Sequence, residues 1–108
     1  MNFNDYQIQS SKTSIYDDKY NITYPTLGLV NEAGEVAGKV KKVFRDNGGV
    51  FGLRERESIK KELGDVLWYM SALCNDLSIN MSDVAESNLA KLNSRLSRGV
   101  IGGSGDER

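Results

Sequence analysis

Two short stretches of this 108-residue sequence share one acidic pattern, Glu32-Ala33-Gly34-Glu35 and Glu62-Leu63-Gly64-Asp65. A helix advances about 100° per residue, so acids at i and i+3 lie about 60° apart on one face. If two such helices pack together, four carboxylates approach one another. Two like charges 4 Å apart repel by about 4 kcal/mol at an effective dielectric of 20. A divalent cation removes that cost, and an all-oxygen set of this density suits Mg²⁺ or Mn²⁺, not zinc. Singly, each acid reads as solvated helix surface; the matched doubling points to a centre. Gly34 and Gly64 occupy the same offset in both quartets. Each costs a helix about 1 kcal/mol relative to alanine, so the pair is expected to mark close helix approach.

Cationic and amide side chains follow. Lys39 and Lys42 stand at i+4 and i+7 from Glu35, and Asn88, Lys91 and Arg95 share one face of a later helical pattern. Each set reads as a solubilising face with i,i+4 pairs. Beside a metal, each also reads as a grip on a polyphosphate. Trp68 and Tyr69 flank the second acid pair, as core aromatics or as a surface on which a base can stack. Asp76 falls on the face of Glu62 and Asp65, as a further polar lining group or as an exposed acid.

The elements that must position these residues are helical. Ala33, Val36, Ala37, Val40, Val43 and Phe44 form one apolar stripe, and Ile59, Leu63, Val66, Met70, Leu73 and Leu77 another. The periodicity predicts a helix over 25–44, opened by Pro25, whose missing N–H is unneeded in a first turn. Asn47-Gly48-Gly49 breaks it, and 48–53 is a loop. A further helix is predicted over 54–77. The next has Ser82 as N-cap, acidic Asp83 at its positive end, and an end near Ser97. A first helix is predicted over 1–16, with a polar connection over 17–24. The glycine-rich residues 98–108 form no stable helix, so a flexible tail follows a domain of residues 1–97. Alternating apolar runs are almost absent, so the expected fold is an all-α bundle of three long helices plus a shorter one. A chain of this length buries a limited fraction of its surface, and oligomerisation is expected to help it.

Composition narrows the chemistry. Fourteen basic and fifteen acidic residues leave a net charge of −1, against a nucleic-acid or anionic-membrane binder. No histidine is present, which excludes Ser-His-Asp and Cys-His catalysis and His-ligated metals. Cys74 is the lone cysteine, so no intrachain disulfide or CxxC site exists. No apolar run reaches the roughly 20 residues of a membrane span. The polar opening MNFNDYQIQSSK does not read as a signal peptide. A cytoplasmic protein is expected.

The paired motif resembles that of the MazG-like, all-α nucleoside triphosphate pyrophosphohydrolases, E-E-x-x-E followed after a spacer by E-x-x-D. Here the halves read Asn31-Glu32-Ala33-Gly34-Glu35 and Glu62-Leu63-Gly64-Asp65. The flanking GLVNEAGEVAGKVKKVFRD and KKELGDVLWYM are similar to the family, as are DYQ, TYPTLGL and NLAKLNSR…RGVIGGSGDER. The resemblance therefore covers nearly the whole chain. It implies hydrolysis between the α- and β-phosphates of a nucleoside triphosphate, giving a monophosphate and pyrophosphate. It also implies that Glu32, Glu35, Glu62 and Asp65 hold Mg²⁺, with Mn²⁺ able to substitute, and act as the catalytic acids. Glu35 is favoured to take the proton from water. Lys39, Lys42, Lys91 and Arg95 are candidates to neutralise phosphate charge, Asn88 to contact a phosphate or sugar oxygen, and Trp68 to meet the base. A homodimer or homotetramer is implied. One departure stands out: Asn31 replaces the motif's first glutamate and supplies no anionic base. The competing reading is a non-catalytic helical interaction module whose acids are structural.

Overall fold

A computed structural model describes residues 1–108. The chain is all-helical: α1 (Phe3–Ser11), a short 3₁₀ turn (Asp18–Tyr20), α2 (Thr23–Asn47), α3 (Leu53–Asp76) and α4 (Met81–Ser97). The three long helices and one short one expected from periodicity are present. No helix is long and apolar enough to cross a membrane.

Helix ends differ from the sequence expectation for local reasons. α1 stops at Ser11, five residues short of Tyr16. Its serines and the following threonine turn back on the backbone: Ser11 Oγ donates to Ile8 O (2.7 Å) and Thr13 Oγ1 to Ser10 O (2.7 Å). Such bonds offer the chain an alternative to further helix. α2 begins at Thr23, so Pro25 lies within its first turn, where no N–H is required. At its other end α2 runs past Phe44 to Asn47, and Gly48 and Gly49 take positive φ (60° and 79°). The Gly49 N–H then returns to Val43 O (3.1 Å), closing the helix in the manner glycine permits. The cap of α4 is Asn80, not Ser82: Asn80 Oδ1 accepts the Ser82 N–H at 2.8 Å.

α2 and α3 form an antiparallel hairpin. Gly28 meets Tyr69, Lys39 Nζ donates to Ser58 Oγ (2.8 Å), Asn47 Nδ2 donates to Glu55 Oε1 (3.0 Å), and Phe44 packs edge-on to Phe51 across the turn. α1 lies on α3, and α4 packs against α1. Gln7 ties these three together. Its Nε2 donates to Asn75 Oδ1 (2.9 Å) and Ile79 O (2.8 Å), while its Oε1 accepts the Met81 N–H (2.8 Å).

Residues 98–108 form no helix or strand and are gathered by arginines. Arg98 Nη2 donates to Arg108 O (2.8 Å), Arg108 Nε to Val100 O (3.2 Å), and Arg95 Nη2 to Asp106 O (2.9 Å).

The core of the single chain is sparse. Val43, Ala72, Cys74, Met81, Pro25, Ser71 and Arg95 are its buried residues. The Cα radius of gyration is 16.8 Å, against about 13 Å for a compact domain of this length. Leu27, Val30, Phe44, Leu89 and Leu96 each stay more than half exposed.

Glycine placement corrects one expectation. A Cβ on Gly34 or Gly64 would meet nothing within 4 Å, so neither marks a close helix approach within the chain. The close approach is at Gly28, where a Cβ would run into the Tyr69 ring. Gly28→Ala should therefore destabilise the fold by about 1–3 kcal/mol through overpacking. Gly34→Ala should instead be neutral or stabilising by up to about 1 kcal/mol through helix propensity. Chemical denaturation midpoints of the two variants check the contrast.

Candidate active site

The antiparallel register of α2 and α3 sets the acids opposite one another. Glu32, Glu62 and Asp65 each offer a carboxylate oxygen within 4.8 Å of the others, a geometry that can hold a metal ion. Glu32 and Glu62 are half-buried and Asp65 is exposed. Glu35 lies outside this group, exposed one turn further along α2.

Electrostatics mark the cluster as under-neutralised. Burial pushes the Glu32 carboxyl above its ordinary value; the Asp65 and Glu62 charges, a hydrogen bond to Glu62 and the Glu35 charge add to the shift. One cation answers them: Lys39 Nζ stands 3.3 Å from Glu62 Oε1 while donating to Ser58 Oγ. The donor set is all oxygen and anionic, and it fits a hard divalent cation.

Lys42 and Lys39 also line a cavity of about 440 Å³ with Arg54, Asp46, Glu55 and Ser58, on the turn side of the acids. Arg54 was missed by the sequence reading. It stands eight residues before Glu62, and only the hairpin brings it opposite Lys42.

On the other side of the acids stand aromatic rings. Trp68 and Tyr69 pack edge-on (5.1 Å), and both line a small hollow with Glu32, Asp65 and Thr13. Trp68 Nε1 donates to Thr13 Oγ1 (2.7 Å), which fixes the indole. Tyr24 lies tilted against Tyr69 (6.1 Å) and stacks on Tyr16 (4.7 Å). Asp76, on the acid face of α3, is half-buried and engaged: its Oδ2 accepts Tyr16 OH (2.8 Å) and the Ile22 N–H (2.9 Å).

The α4 residues are elsewhere. Asn88 and Lys91 are exposed and line a separate hollow with Asp83, Ser87, Ile79 and Val84. Arg95 is buried against the tail, donating to Asp106 O and pairing with Asp106 Oδ1 at 4.0 Å, and its Nε has no partner. Within one chain the structure brings Glu32, Glu62, Asp65, Lys39 and Trp68 together, and does not bring Asn88, Lys91 or Arg95 to them.

Comparison with known proteins decides the family. The family model for the MazG nucleotide pyrophosphohydrolase domain matches residues 23–99. The chain belongs to the MazG family. That match begins at the first residue of α2 and takes in both acidic quartets, the hairpin and all of α4. The chain is also 50% identical over 109 residues to the "Gene 37 protein" of Mycobacterium phage L5, covering 95% of this chain and 96% of that protein. No solved structure matches the chain. The MazG match takes in the acid cluster: three of the four acids in the two quartets, Glu32, Glu62 and Asp65, are the residues the hairpin sets face to face.

The Tyr16–Asp76 contact beside this MazG site has a pH signature. Burial first, then the hydrogen bond to Asp76 and that carboxylate's charge, push the Tyr16 phenol from 10.0 up to about 12. A raised folded-state value means the stabilisation is complete below pH 10.0 and is lost as pH rises through about 12. A spectrophotometric phenol titration should show a late ionisation near 12 that Tyr16→Phe removes. The variant should also lose stability less steeply across that alkaline window.

Proposed function

We propose that this MazG-family chain is a Mg²⁺-dependent nucleoside triphosphate pyrophosphohydrolase that cleaves between the α- and β-phosphates, releasing a nucleoside monophosphate and pyrophosphate. The observation that carries the reading is the Glu32–Glu62–Asp65 cluster, three carboxylates within 4.8 Å with a single neighbouring ammonium. A structural module gains nothing from such repulsion, whereas a site for a divalent cation needs its carboxylates gathered.

Glu32, Glu35, Glu62 and Asp65 are the residues that would hold Mg²⁺, with Mn²⁺ as a substitute. Glu35 completes the set from the same face of α2. When bound, the cation supplies charge neutralisation at the phosphates and a more acidic water. Glu35, exposed and free of any cationic partner, takes the proton of the attacking water. Asn31 cannot take that role, since an amide carries no basic oxygen of carboxylate strength. Lys39 balances Glu62 and turns to phosphate oxygens when substrate arrives. Lys42 and Arg54, across the neighbouring cavity, stabilise the leaving pyrophosphate, whose charge grows in the transition state. Trp68 bounds the other end of the site.

Asn88, Lys91 and Arg95 can reach substrate only from a second copy of the chain, because α4 faces away from its own acids. The exposed leucines of α4, the sparse core and the large radius of gyration support an oligomer, a dimer or a tetramer of paired dimers.

Four measurements test this function. Glu62→Gln should lower kcat/KM by at least about a hundredfold with helical content unchanged, since it removes a charge used in the transition state. Chelation should abolish turnover, and the first products should be monophosphate and pyrophosphate, never diphosphate and orthophosphate. Light scattering should give a particle of at least twice the 12.0 kDa chain mass. A fully active 12.0 kDa particle would contradict the assembly.

A further inference from the structure

A cavity of about 280 Å³ opens between α1 and α3, bounded by Ser10, Ser14, Tyr16, Trp68, Asn75 and Asp76. It shares the Trp68 wall with the hollow that holds Glu32 and Asp65. Asp65, Trp68, Ala72 and Asp76 follow one another at helical spacing along a single stripe of α3. Opposite that cavity, beyond the acids, lies the basic cavity of Lys39, Lys42 and Arg54. The order along α3 is therefore cations, carboxylates, indole, then a polar pocket. That is the order of the parts of a nucleoside triphosphate: terminal phosphates, α-phosphate, sugar, base.

The pocket carries hydrogen-bonding groups that the fold leaves unspent. Asp76 Oδ2 is used twice, by Tyr16 OH and by the Ile22 N–H, but Asp76 Oδ1 has no partner. Asn75 Oδ1 accepts Gln7 Nε2, which leaves the Asn75 amide hydrogens. The carboxylate is held firmly. Ile22, a β-branched residue at φ 69°, is kept in that rare conformation with its N–H on Asp76. Asp76 lies eleven residues beyond Asp65, about 16 Å along the helix, and so faces the base edge furthest from the phosphates. In cytosine and adenine that edge bears an amino group, a donor. In uracil and thymine it bears a carbonyl oxygen, which a carboxylate repels.

Resting on the pyrophosphohydrolase reading, we propose that the α1–α3 cavity is the nucleobase pocket and that Asp76 makes it selective for bases with a distal exocyclic amino group, cytosine or adenine. Asn75 donates to the adjacent ring nitrogen, and Trp68 covers the sugar-side face of the ring.

The test is substitution of the carboxylate by its isosteric amide. Asp76→Asn keeps an oxygen for Tyr16 OH and the Ile22 N–H, and turns an amide donor towards the base. Wild-type kcat/KM for dCTP or dATP should exceed that for dUTP and dTTP by at least about tenfold, the worth of one hydrogen bond to a charged group. In Asp76→Asn that ratio should fall by about tenfold or more, towards the carbonyl bases. Relative rates for dCTP and dATP then say which ring the cavity prefers. Equal turnover of these four nucleotides, or an unchanged ratio in the variant, overturns the base assignment and leaves the pyrophosphohydrolase reading standing. Trp68 is the only tryptophan, so its fluorescence reads the pocket without any turnover. Deoxycytidine or deoxyadenosine should perturb it in the wild-type chain, and deoxyuridine and thymidine should not. That result supports the pocket even if no nucleotide is hydrolysed, in which case the reaction assignment alone falls. An equal response, or none, to the four nucleosides overturns the pocket, whether or not Asp76→Asn folds.

Discussion

Repulsion among carboxylates at the middle of the α2–α3 hairpin is the constraint around which the rest of the chain is arranged. Glu32, Glu62 and Asp65 approach within 4.8 Å, and the half-burial of Glu32 raises its pKa further. Nothing in the cluster favours folding by itself. The hairpin must be held by contacts on either side: Gly28 under the Tyr69 ring and the Phe44–Phe51 pair at the turn. Lys39 answers one of the charges and is itself fixed by Ser58. A site that opposes its own fold in this way is ready for a cation, which converts the repulsion into binding.

The scaffold around the hairpin is economical. α1 has no buried residue of its own and is attached mainly through polar contacts. Gln7 bonds Asn75, Ile79 and Met81, and Ser10 shares a 2.8 Å hydrogen bond with the fully buried Ser71. Polar attachment of this kind leaves room between α1 and α3, where a greasy contact would have closed it. The cavity beside Trp68 is the consequence. The same economy leaves leucines of α2 and α4 in water, which is costly for a lone chain and natural for one that pairs.

Charge follows position along α3. Arg54 and Ser58 face the lysines of α2, Glu62 and Asp65 face Glu32, and Asp76 closes the aromatic end beside Tyr16 and Tyr24. A single helix thus presents a cation-lined zone, a carboxylate cluster and an aromatic zone with its own carboxylate in sequence. α4 takes no part in this within its own chain. Its buried Arg95 is committed to the C-terminal residues through Asp106, and Asn88 and Lys91 line a separate hollow.

Helical class, the order of the helices and the meeting of Glu32 with Glu62 and Asp65 were legible in the sequence, because helical periodicity and i,i+3 spacing are properties of neighbours along the chain. The matched quartets even carried the family. Helix ends were less legible: serine hydroxyls shortened α1, and Asn80 took the cap expected of Ser82, both through local bonds that compete closely. The glycines were misread, since what a Cβ would strike depends on the opposing helix; Gly28 is the tight one, Gly34 and Gly64 are not. The partners of each charge were likewise decided only in three dimensions. The hairpin's register chose Arg54 for the basic cavity and left Glu35 just outside the cluster. The packing of α4 on α1 turned Arg95 away from the acids of its own chain. Sequence spacing determines which side chains share a face; only the packing of one face on another determines what that face meets.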